Sequence, residues 1–156
     1  MTMLHLFCGQ VASGKSTLAA QIAARPGHVL IAQDEWTRHL WPEEMRTLDD
    51  YARLIPRLRA AIAPHVAQLL RLGMPVVLDW PMNTPQTRAW ARGIFEAAGA
   101  DHILHVLRPP DALRLQRLAA RNAAGTHAYQ VSAEEDAALA RWFQPPSPAE
   151  GFNLAP

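Results

Sequence analysis

The segment from residue 4 to residue 17 constrains the fold of this chain more than any other. It reads Leu-His-Leu-Phe-Cys-Gly-Gln-Val-Ala-Ser-Gly-Lys-Ser-Thr, an apolar run that leads into Gly-x-x-x-x-Gly-Lys-Ser. Glycines at positions 9 and 14 let the backbone turn back, so that successive N–H groups point inward at the positive end of a following helix. The pattern predicts a phosphate-binding loop between a strand and a helix, and a ligand-free glycine turn is the less favoured interpretation.

The side chains of this loop suit a nucleoside triphosphate. Lys15 can bridge the β- and γ-phosphates as a mobile charge, and the Ser16 hydroxyl can ligate Mg²⁺. We therefore expect ATP and Mg²⁺ as cofactors. The predicted nucleotide-binding residues are Gly9, Ala12, Ser13, Gly14, Lys15, Ser16 and Thr17.

Four short apolar runs have the length of strands, at residues 4–8, 29–32, 75–79 and 103–107. They are almost continuously hydrophobic, as strands buried on both faces of a parallel sheet are, and helix-like segments separate them. The sequence thus predicts an α/β fold with three layers (α/β/α) and a parallel sheet of four to five strands. The length of 156 residues and the ordinary composition predict a single domain over residues 1–156.

Several helix boundaries follow from local chemistry. Thr47 with Asp50, Thr84 before Pro85, and Ser132 with Glu135 have the spacing of N-terminal caps. Two prolines inside the helix that begins near Thr47, at positions 56 and 64, are expected to kink or divide it. In the helix after residue 110, the apolar residues at 113, 115, 118 and 119 are expected to face the sheet.

Acidic residues lie at the ends of the second and third apolar runs. Asp34 is the candidate general base for an acceptor hydroxyl, with Glu35 as the reserve candidate and helix capping as the alternative role of Asp34. Asp79 is the candidate magnesium ligand together with Ser16, and a turn residue before Pro81 is its alternative role. Both acids should emerge beside the phosphate loop, because ligands gather at the carboxyl ends of parallel strands.

Two arginines four positions apart, Arg117 and Arg121, precede a polar loop over residues 122–130. Guanidinium groups that close over a triphosphate would neutralise developing charge, so we predict a lid over about residues 117–131 with both arginines as catalytic groups. A solvated helix face is the alternative. His127 in this loop is interpreted as a surface histidine, and Arg38 as a possible acceptor contact or an exposed helix residue.

The tryptophans divide into two groups. Trp36, Trp41 and Trp80 lie near the acidic strand ends, where an aromatic ring could stack on the acceptor, and Trp80 is the candidate substrate contact. Core packing is an equally acceptable interpretation of these three. Trp90 and Trp142 fall on predicted helices and are interpreted as core residues.

Charge and cysteine content limit the class of protein. The formal net charge of +1 offers no electrostatic footprint for nucleic acid or an anionic membrane, although a local basic groove is compatible with a balanced total. Cys8 is the single cysteine, so no intramolecular disulfide can form, and its place in an apolar run predicts a buried thiol. No membrane segment or leader is expected, and the predicted location is cytoplasmic.

With these motifs the chain resembles the P-loop kinase group that includes zeta toxins, chloramphenicol phosphotransferase, gluconate kinase and the kinase domain of polynucleotide kinase. The resemblance rests on residues 9–17, Asp34, Asp79, the helix with Arg117 and Arg121, and Phe-Gln-Pro-Pro at 143–146 with Glu150. It implies a 2-3-1-4-5 parallel sheet, an ATP and Mg²⁺ site, Asp34 as the base and lid arginines over the phosphates.

Two features depart from that group. Arg38 lies four residues after Asp34, whereas polynucleotide kinases often place an arginine three residues after the base, which argues against a polynucleotide acceptor. Little sequence follows residue 152 for a fifth strand, so we expect four strands or a very short fifth. Adenine is then expected against residues 143–152.

Two functions are compatible with the sequence. The first is an ATP-dependent phosphotransferase whose acceptor is a hydroxyl of a small molecule or nucleotide. The second is a nucleotide-binding sensor or slow ATPase, in which lid closure controls a protein partner. GTPase switches ordinarily carry Asp-x-x-Gly and Asn-Lys-x-Asp motifs, and this sequence contains neither.

Overall fold

The computed structural model describes residues 1–125 and 130–156, and His127 lies outside these residues. Strands and helices alternate along most of the chain. The strands are β1 (Met3–Cys8), β2 (Val29–Ala32), β3 (Val76–Pro81) and β4 (Asp101–Val106). The helices are α1 (Lys15–Ala23), α2 (Gln33–Leu40), α3 (Leu48–Arg71), α4 (Pro85–Ala98), α5 (Asp111–Ala124) and α6 (Ala133–Trp142), followed by a short 3₁₀ turn at Pro148–Glu150.

The four strands form one parallel sheet in the order β2-β3-β1-β4. This order confirms the predicted α/β class and places β1, which carries the phosphate loop, between β3 and β4. Beyond β4, Leu154 forms an isolated parallel bridge with Leu104. The Leu104 N–H donates to the Asn153 carbonyl at 2.7 Å, and the Ala155 N–H donates to the Leu104 carbonyl at 3.0 Å. The predicted very short fifth strand is thus reduced to one bridge at the expected edge.

Apolar side chains bury both faces of the sheet. On one face, Leu4, Leu6 and Leu78 join a core that includes α3 and α4 side chains such as Ile62 and Ile94. On the other face, Phe7 and Val77 pack with Ala19 and Ile22 of α1. Cys8 is buried as predicted, and burial raises the pKa of its thiol. The sheet therefore has helices on both faces, which accounts for the near-continuous hydrophobicity of its strands.

The three predicted helix caps are confirmed. Reciprocal capping boxes join Thr47 with Asp50, Thr84 with Thr87, and Ser132 with Glu135. Each box satisfies backbone N–H groups that the first helical turn leaves unpaired. These local contacts fix where α3, α4 and α6 begin.

Two expectations about helices are wrong in part. Pro56 and Pro64 do not divide α3, which runs unbroken for 24 residues. Both prolines lie on its exposed side, where water can bind the carbonyls that lose their helical partners. In α5, Leu118 is buried as expected, but Leu113 and Leu115 are 39% and 44% exposed, so the predicted sheet-facing stripe is wrong at these two positions.

The buried side of α5 carries Arg114 and Leu118, and Ala119 is exposed. The stripe is displaced because Arg114 is held inward by a buried ion pair. Within the residues that the structure describes, no helix is long and apolar enough to cross a membrane.

Candidate functional site

The phosphate loop between β1 and α1 is tightly folded. A Cβ at Gly9 would lie 2.4 Å from the Ser13 Oγ and 2.8 Å from the Leu107 carbonyl oxygen, so only glycine fits there. Ala12 and Gly14 have positive φ angles of 60° and 101°. Gly14 is also the N-cap of α1, which leaves the first amides of that helix free of a capping side chain. The loop therefore has the turned backbone that an anion-binding nest requires.

Lys15 lies across this loop. Its Nζ donates hydrogen bonds to the Gly9 carbonyl at 2.5 Å and to the Gln10 carbonyl at 2.9 Å, and the Ser13 Oγ is 3.5 Å away. Burial lowers the pKa of Lys15 to about 8, against the opposing fields of Asp79 and Asp34. A phosphate group would supply the negative charge that the carbonyls replace only partly.

Asp79 and Ser16 form the second part of the site. Burial raises the pKa of the Asp79 carboxyl group and Asp34 adds to the rise, whereas the nearby Ser16 hydroxyl opposes it. An oxygen-rich pair of this kind fits Mg²⁺, which usually takes one or two protein ligands and completes its shell with phosphate oxygens and water. Across residues 1–125 and 130–156, no group of three or more His, Cys, Asp or Glu side chains could hold a metal.

Asp34 lies in the first turn of α2, directly after β2, and lines the same cavity as Lys15. The N-cap of α2 is Ala32, and no side chain caps this helix, so the alternative capping role of Asp34 does not apply. Its field contributes to the pKa values of both Lys15 and Asp79. Asp34 is exposed and therefore accessible to a ligand in the cavity.

Neighbouring side chains of α2 point elsewhere. Glu35 and Arg38 are exposed but do not line the cavity. Because a contact with a bound acceptor requires access to this cavity, the structure gives no support to the predicted substrate contact at Arg38. Asp34 is the carboxylate of α2 that faces the phosphate loop.

Arg117 and Arg121 of α5 both line the cavity. The Arg117 Nη1 is 3.8 Å from the position that a Cβ on Gly14 would occupy, which places the guanidinium beside the loop. The Arg121 Nε is buried and has no hydrogen-bond partner among the described residues. The predicted convergence of the α5 arginines on the phosphate loop is therefore present in the structure.

A third arginine of α5 was not singled out from the sequence. The Arg114 guanidinium donates to the Asp136 carboxylate of α6 at 2.7 and 3.1 Å, and to the Val11 carbonyl at 3.2 Å. The hydrogen bonds with Asp136 and the fields of Asp136 and Asp111 raise the pKa of Arg114, against the opposing effect of burial. Arg114 thus joins the phosphate loop to α5 and α6.

Asn83 and Arg88 hold the phosphate loop and the C-terminal segment in place, and neither role was predicted from the sequence. The Gly9 N–H donates to the Asn83 Oδ1, and the Asn83 Nδ2 donates to the Gly9 carbonyl, both at 2.9 Å. Arg88 is fully buried, and its Nε and Nη2 donate to the Glu150 carboxylate at 2.7 and 3.1 Å. Arg88 also binds the carbonyls of Met82 and Gln144, so α4 holds the C-terminal segment beside the loop.

The prediction that Trp80 contacts the acceptor is wrong. Trp80 is 0% exposed and packs against Trp90 with ring centroids 5.5 Å apart. Trp41 is partly buried against the same core, whereas Trp36 is exposed and does not line the cavity. Trp142, predicted as a core residue, is 70% exposed and lines the cavity.

Residues 143–152 contact α4 more than the cavity. Glu150 pairs with Arg88, and the ring of Phe152 packs edge-on against Phe95 with centroids 6.2 Å apart. Of this segment, Phe143 lines the cavity. Phe143 and the adjacent Trp142 are consequently the aromatic side chains available to a flat ligand at this edge.

One cavity of about 780 Å³ is lined by the phosphate loop with Lys15 and Ser16, by Asp34, by the two α5 arginines and by Trp142 and Phe143. That volume is within the range of nucleotide and cofactor pockets. One wall is the phosphate loop, a second comes from α5 and α6, and a third comes from α2 and α3 with Gln33, Asp34, Leu48, Tyr51 and Arg59. The cavity therefore extends beyond a triphosphate site to a wall with its own polar groups.

Comparison with known proteins agrees with this geometry. The family model described as an AAA domain (AAA_33) matches residues 4–146, which include the phosphate loop, both acids and the α5 arginines. The chain belongs to this AAA domain family. No curated protein matches this AAA domain in sequence.

Solved structures share the fold of this AAA domain at low sequence identity. A protein from Chloroflexus aurantiacus, described as a "putative kinase", is 17% identical with a TM-score of 0.78, covering 98% of this chain and 82% of that one. Kti12 of Chaetomium thermophilum, in complex with ADP-AlF3, is 16% identical with a TM-score of 0.70, covering 97% and 88%. The Mycobacterium tuberculosis APS kinase CysC, in complex with AMPPNP and APS, is 24% identical with a TM-score of 0.58, covering 94% and 84%. The AAA domain therefore has the fold of the P-loop kinase-like group.

Proposed function

We propose that this AAA domain is an ATP-dependent phosphotransferase that transfers the γ-phosphoryl group to a hydroxyl of a small molecule or nucleotide. The observation that carries the proposal is the placement of Asp34 in one cavity with Lys15 and the two α5 arginines. A nucleotide-binding loop alone needs no accessible carboxylate opposite the terminal phosphate, whereas transfer to a hydroxyl does.

The nucleotide half of the cavity would hold ATP. The amides of the loop and of the first turn of α1 would bind the phosphates, and Lys15 would exchange its two carbonyl partners for β- and γ-phosphate oxygens. Ser16 and Asp79 would hold Mg²⁺, which when bound neutralises phosphate charge. Trp142 and Phe143 are the aromatic surfaces proposed for the adenine ring.

The acceptor half would perform the proton transfer. The acceptor hydroxyl oxygen forms a bond to the γ-phosphorus, the bond between that phosphorus and the β–γ bridging oxygen breaks, and ADP leaves. Asp34 orients the hydroxyl and accepts its proton. Lys15, Arg117 and Arg121 stabilise the negative charge on the transferred group, which the cavity partly shields from water.

A transfer assay tests this proposal. The protein, ATP labelled in the γ position and Mg²⁺ are incubated with a panel of hydroxyl compounds, including sugars, nucleosides, nucleotides and polyols. We expect at least one compound to accelerate ADP release and to carry the label. Asp34→Asn should reduce transfer by about 10²–10⁴-fold, the usual contribution of a positioned general base.

Glu35→Gln is the matched control, because Glu35 is an adjacent carboxylate of the same helix that does not line the cavity. It should keep nearly full transfer. Equal losses in Asp34→Asn and Glu35→Gln would remove the assigned base. A complete absence of labelled product with every acceptor would contradict the proposed activity.

One observation favours the alternative function of a nucleotide sensor. Arg114 links the Val11 carbonyl of the phosphate loop to Asp136 of α6. A change in the conformation of the loop on nucleotide binding would therefore shift the position of α6. In that case ATP and ADP should protect α6 amides from hydrogen exchange to different extents, with no acceptor-dependent turnover. Equal protection by the two nucleotides would exclude the sensor.

A further inference from the structure

Arg59 of α3 is a partly buried cation that lines the same cavity as the phosphate loop. Its Nε is inaccessible to solvent and has no hydrogen-bond partner within the described part of the chain. None of the ion pairs found among those residues involves Arg59. Burial lowers the pKa of this guanidinium, which means that the folded protein accommodates a positive charge with little compensation.

The two arginines that are fully enclosed in this fold, Arg88 and Arg114, are compensated. Arg88 makes two short hydrogen bonds with Glu150, and Arg114 makes two with Asp136. A buried charge without a partner is costly, and proteins normally pair such groups when their role is structural. Arg59 therefore differs from the arginines that stabilise this fold, and its position in a cavity wall indicates a role in binding.

The groups nearest to Arg59 do not neutralise it. Its Cζ lies 5.9 Å from the ring centroid of Trp90, at the outer limit of a cation–π contact. Tyr51 is the charge partner that opposes the pKa shift of Arg59, but burial raises the pKa of this phenol, so it is uncharged at neutral pH. The Arg59 guanidinium is therefore still able to bind an anionic ligand.

Arg59 and Asp34 belong to the same wall of the cavity. The Gln33 Nε2 donates to the Tyr51 Oη at 3.0 Å, which joins the start of α2 to α3. The fields of both Arg59 and Asp34 affect the pKa of Tyr51, so both charged groups lie near this phenol. A small molecule held at Arg59 can therefore present another of its groups to Asp34.

We propose that Arg59 binds an anionic group of the phosphoryl acceptor, namely a phosphate, a sulfate or a carboxylate, while a hydroxyl of the same molecule reaches Asp34. The acceptor is thus an anionic hydroxyl compound. This inference rests on the proposed function, because it names the substrate class of that site. The three anionic groups share the paired oxygens that a guanidinium recognises.

A binding experiment tests the anion site without requiring turnover. The protein is saturated with AMPPNP and Mg²⁺, so that the phosphate loop is filled, and inorganic sulfate is then titrated while the arginine Nε–Hε signals are followed by NMR. The Arg59 signal, assigned from its absence in Arg59→Gln, should shift in a saturable way. Arg57→Gln is the control, since it removes an exposed arginine of the same helix, and it should preserve the shift. An Arg59 signal that does not respond would overturn the inference.

A second experiment uses acceptors in matched pairs that differ by one anionic group, such as a sugar and its phosphate, a nucleoside and its monophosphate, or an aldose and its aldonate. The anionic member should be preferred, and Arg59→Gln should lower its kcat/KM by about a hundredfold, as loss of one partner of a desolvated charge pair does. ATP affinity should stay within about twofold, and Arg59→Lys should restore part of the preference.

The two experiments separate the possible failures. If sulfate shifts the Arg59 signal but no compound is phosphorylated, the anion site stands and the proposed phosphotransferase activity fails. If compounds are phosphorylated but the neutral members of the pairs are preferred, or Arg59→Gln leaves the preference unchanged, the activity stands and the anionic substrate class is wrong. The pair with the largest preference identifies which of the three anionic groups the site takes.

Discussion

The buried ion pair between Arg114 and Asp136 offers a test of how the phosphate loop depends on α5 and α6. The two side chains are 5% and 7% exposed, and the same guanidinium donates to the Val11 carbonyl. Asp136→Ala removes the carboxylate and leaves a buried cation, and Arg114→Met leaves a buried anion. We expect each single substitution to weaken both folding and ATP binding.

The size of the effect follows from the burial of the pair. Loss of one partner of a buried ion pair costs about 3–5 kcal/mol. For a chain of this length, 1 kcal/mol shifts Tm by about 2–4 °C, so each single variant should lose about 10 °C. The double variant Arg114→Met with Asp136→Leu buries no unpaired charge, and its Tm should return close to that of the parent protein. It still lacks the donor to Val11, so its affinity for ATP should remain about tenfold weaker.

Thermal unfolding followed by circular dichroism gives the stabilities, and isothermal titration calorimetry gives the affinity for ATP. Arg117→Met is a suitable control for loss of an arginine from α5, since Arg117 is exposed and makes no ion pair among those described. Its Tm should stay near that of the parent protein. The reasoning is refuted if the single variants keep the parent Tm, or if the double variant recovers ATP affinity together with stability.

Three further predictions concern ATP binding at the phosphate loop and the pH dependence of stability. Gly9→Ala should abolish ATP binding, because its Cβ would lie 2.4 Å from the Ser13 Oγ and 2.8 Å from a backbone carbonyl; calorimetric binding at parent strength would contradict this. Because burial lowers the pKa of Lys15 to about 8, ATP affinity should fall as the pH rises above that value. Calorimetry in buffers of different ionisation enthalpy should then show proton uptake on binding, and pH-independent binding would refute it. Burial lowers the pKa of His5 to about 4 from 6.5, so the unfolded chain binds more protons between these values and stability should decline as the pH falls from 6.5 to 4. Urea unfolding of His5→Thr should show a flatter dependence, and an identical dependence would exclude this histidine as a source.

Features that depend on neighbouring residues were predictable from the sequence. The four apolar runs became strands, and the caps at Thr47, Thr84 and Ser132 began the expected helices. The phosphate loop was predictable for the same reason, since its glycine spacing and its flanking strand and helix are all local. The placement of both acids beside it followed from a general property of parallel sheets.

Features that depend on distant partners were not predictable. Arg88 pairs with Glu150 across 62 residues of sequence, and Arg114 pairs with Asp136 across 22. Nothing in a helical pattern distinguishes an arginine with a buried partner from one that faces solvent. The inward turn of Arg114 also explains why the apolar stripe expected on α5 was wrong in part.

The positions of the tryptophan side chains were also difficult to predict from the sequence. Trp80 follows Asp79 in β3, and alternation along a strand directs consecutive side chains to opposite faces. With the acid toward the loop, the indole ring turns into the core formed with α3 and α4. Trp142 remained exposed because it is the last residue of α6, at the edge of the cavity.

The central claim is that the loop between β1 and α1 binds ATP through its backbone amides and Lys15. Calorimetric titration of the protein with ATP in the presence of Mg²⁺ tests this claim most directly, with Lys15→Ala as the variant and Arg57→Gln as the control. We predict one site of about micromolar affinity, as is common for enzyme substrates, that Lys15→Ala weakens strongly and Arg57→Gln leaves unchanged. Absence of ATP binding by the parent protein, or equal binding by Lys15→Ala, would contradict the account.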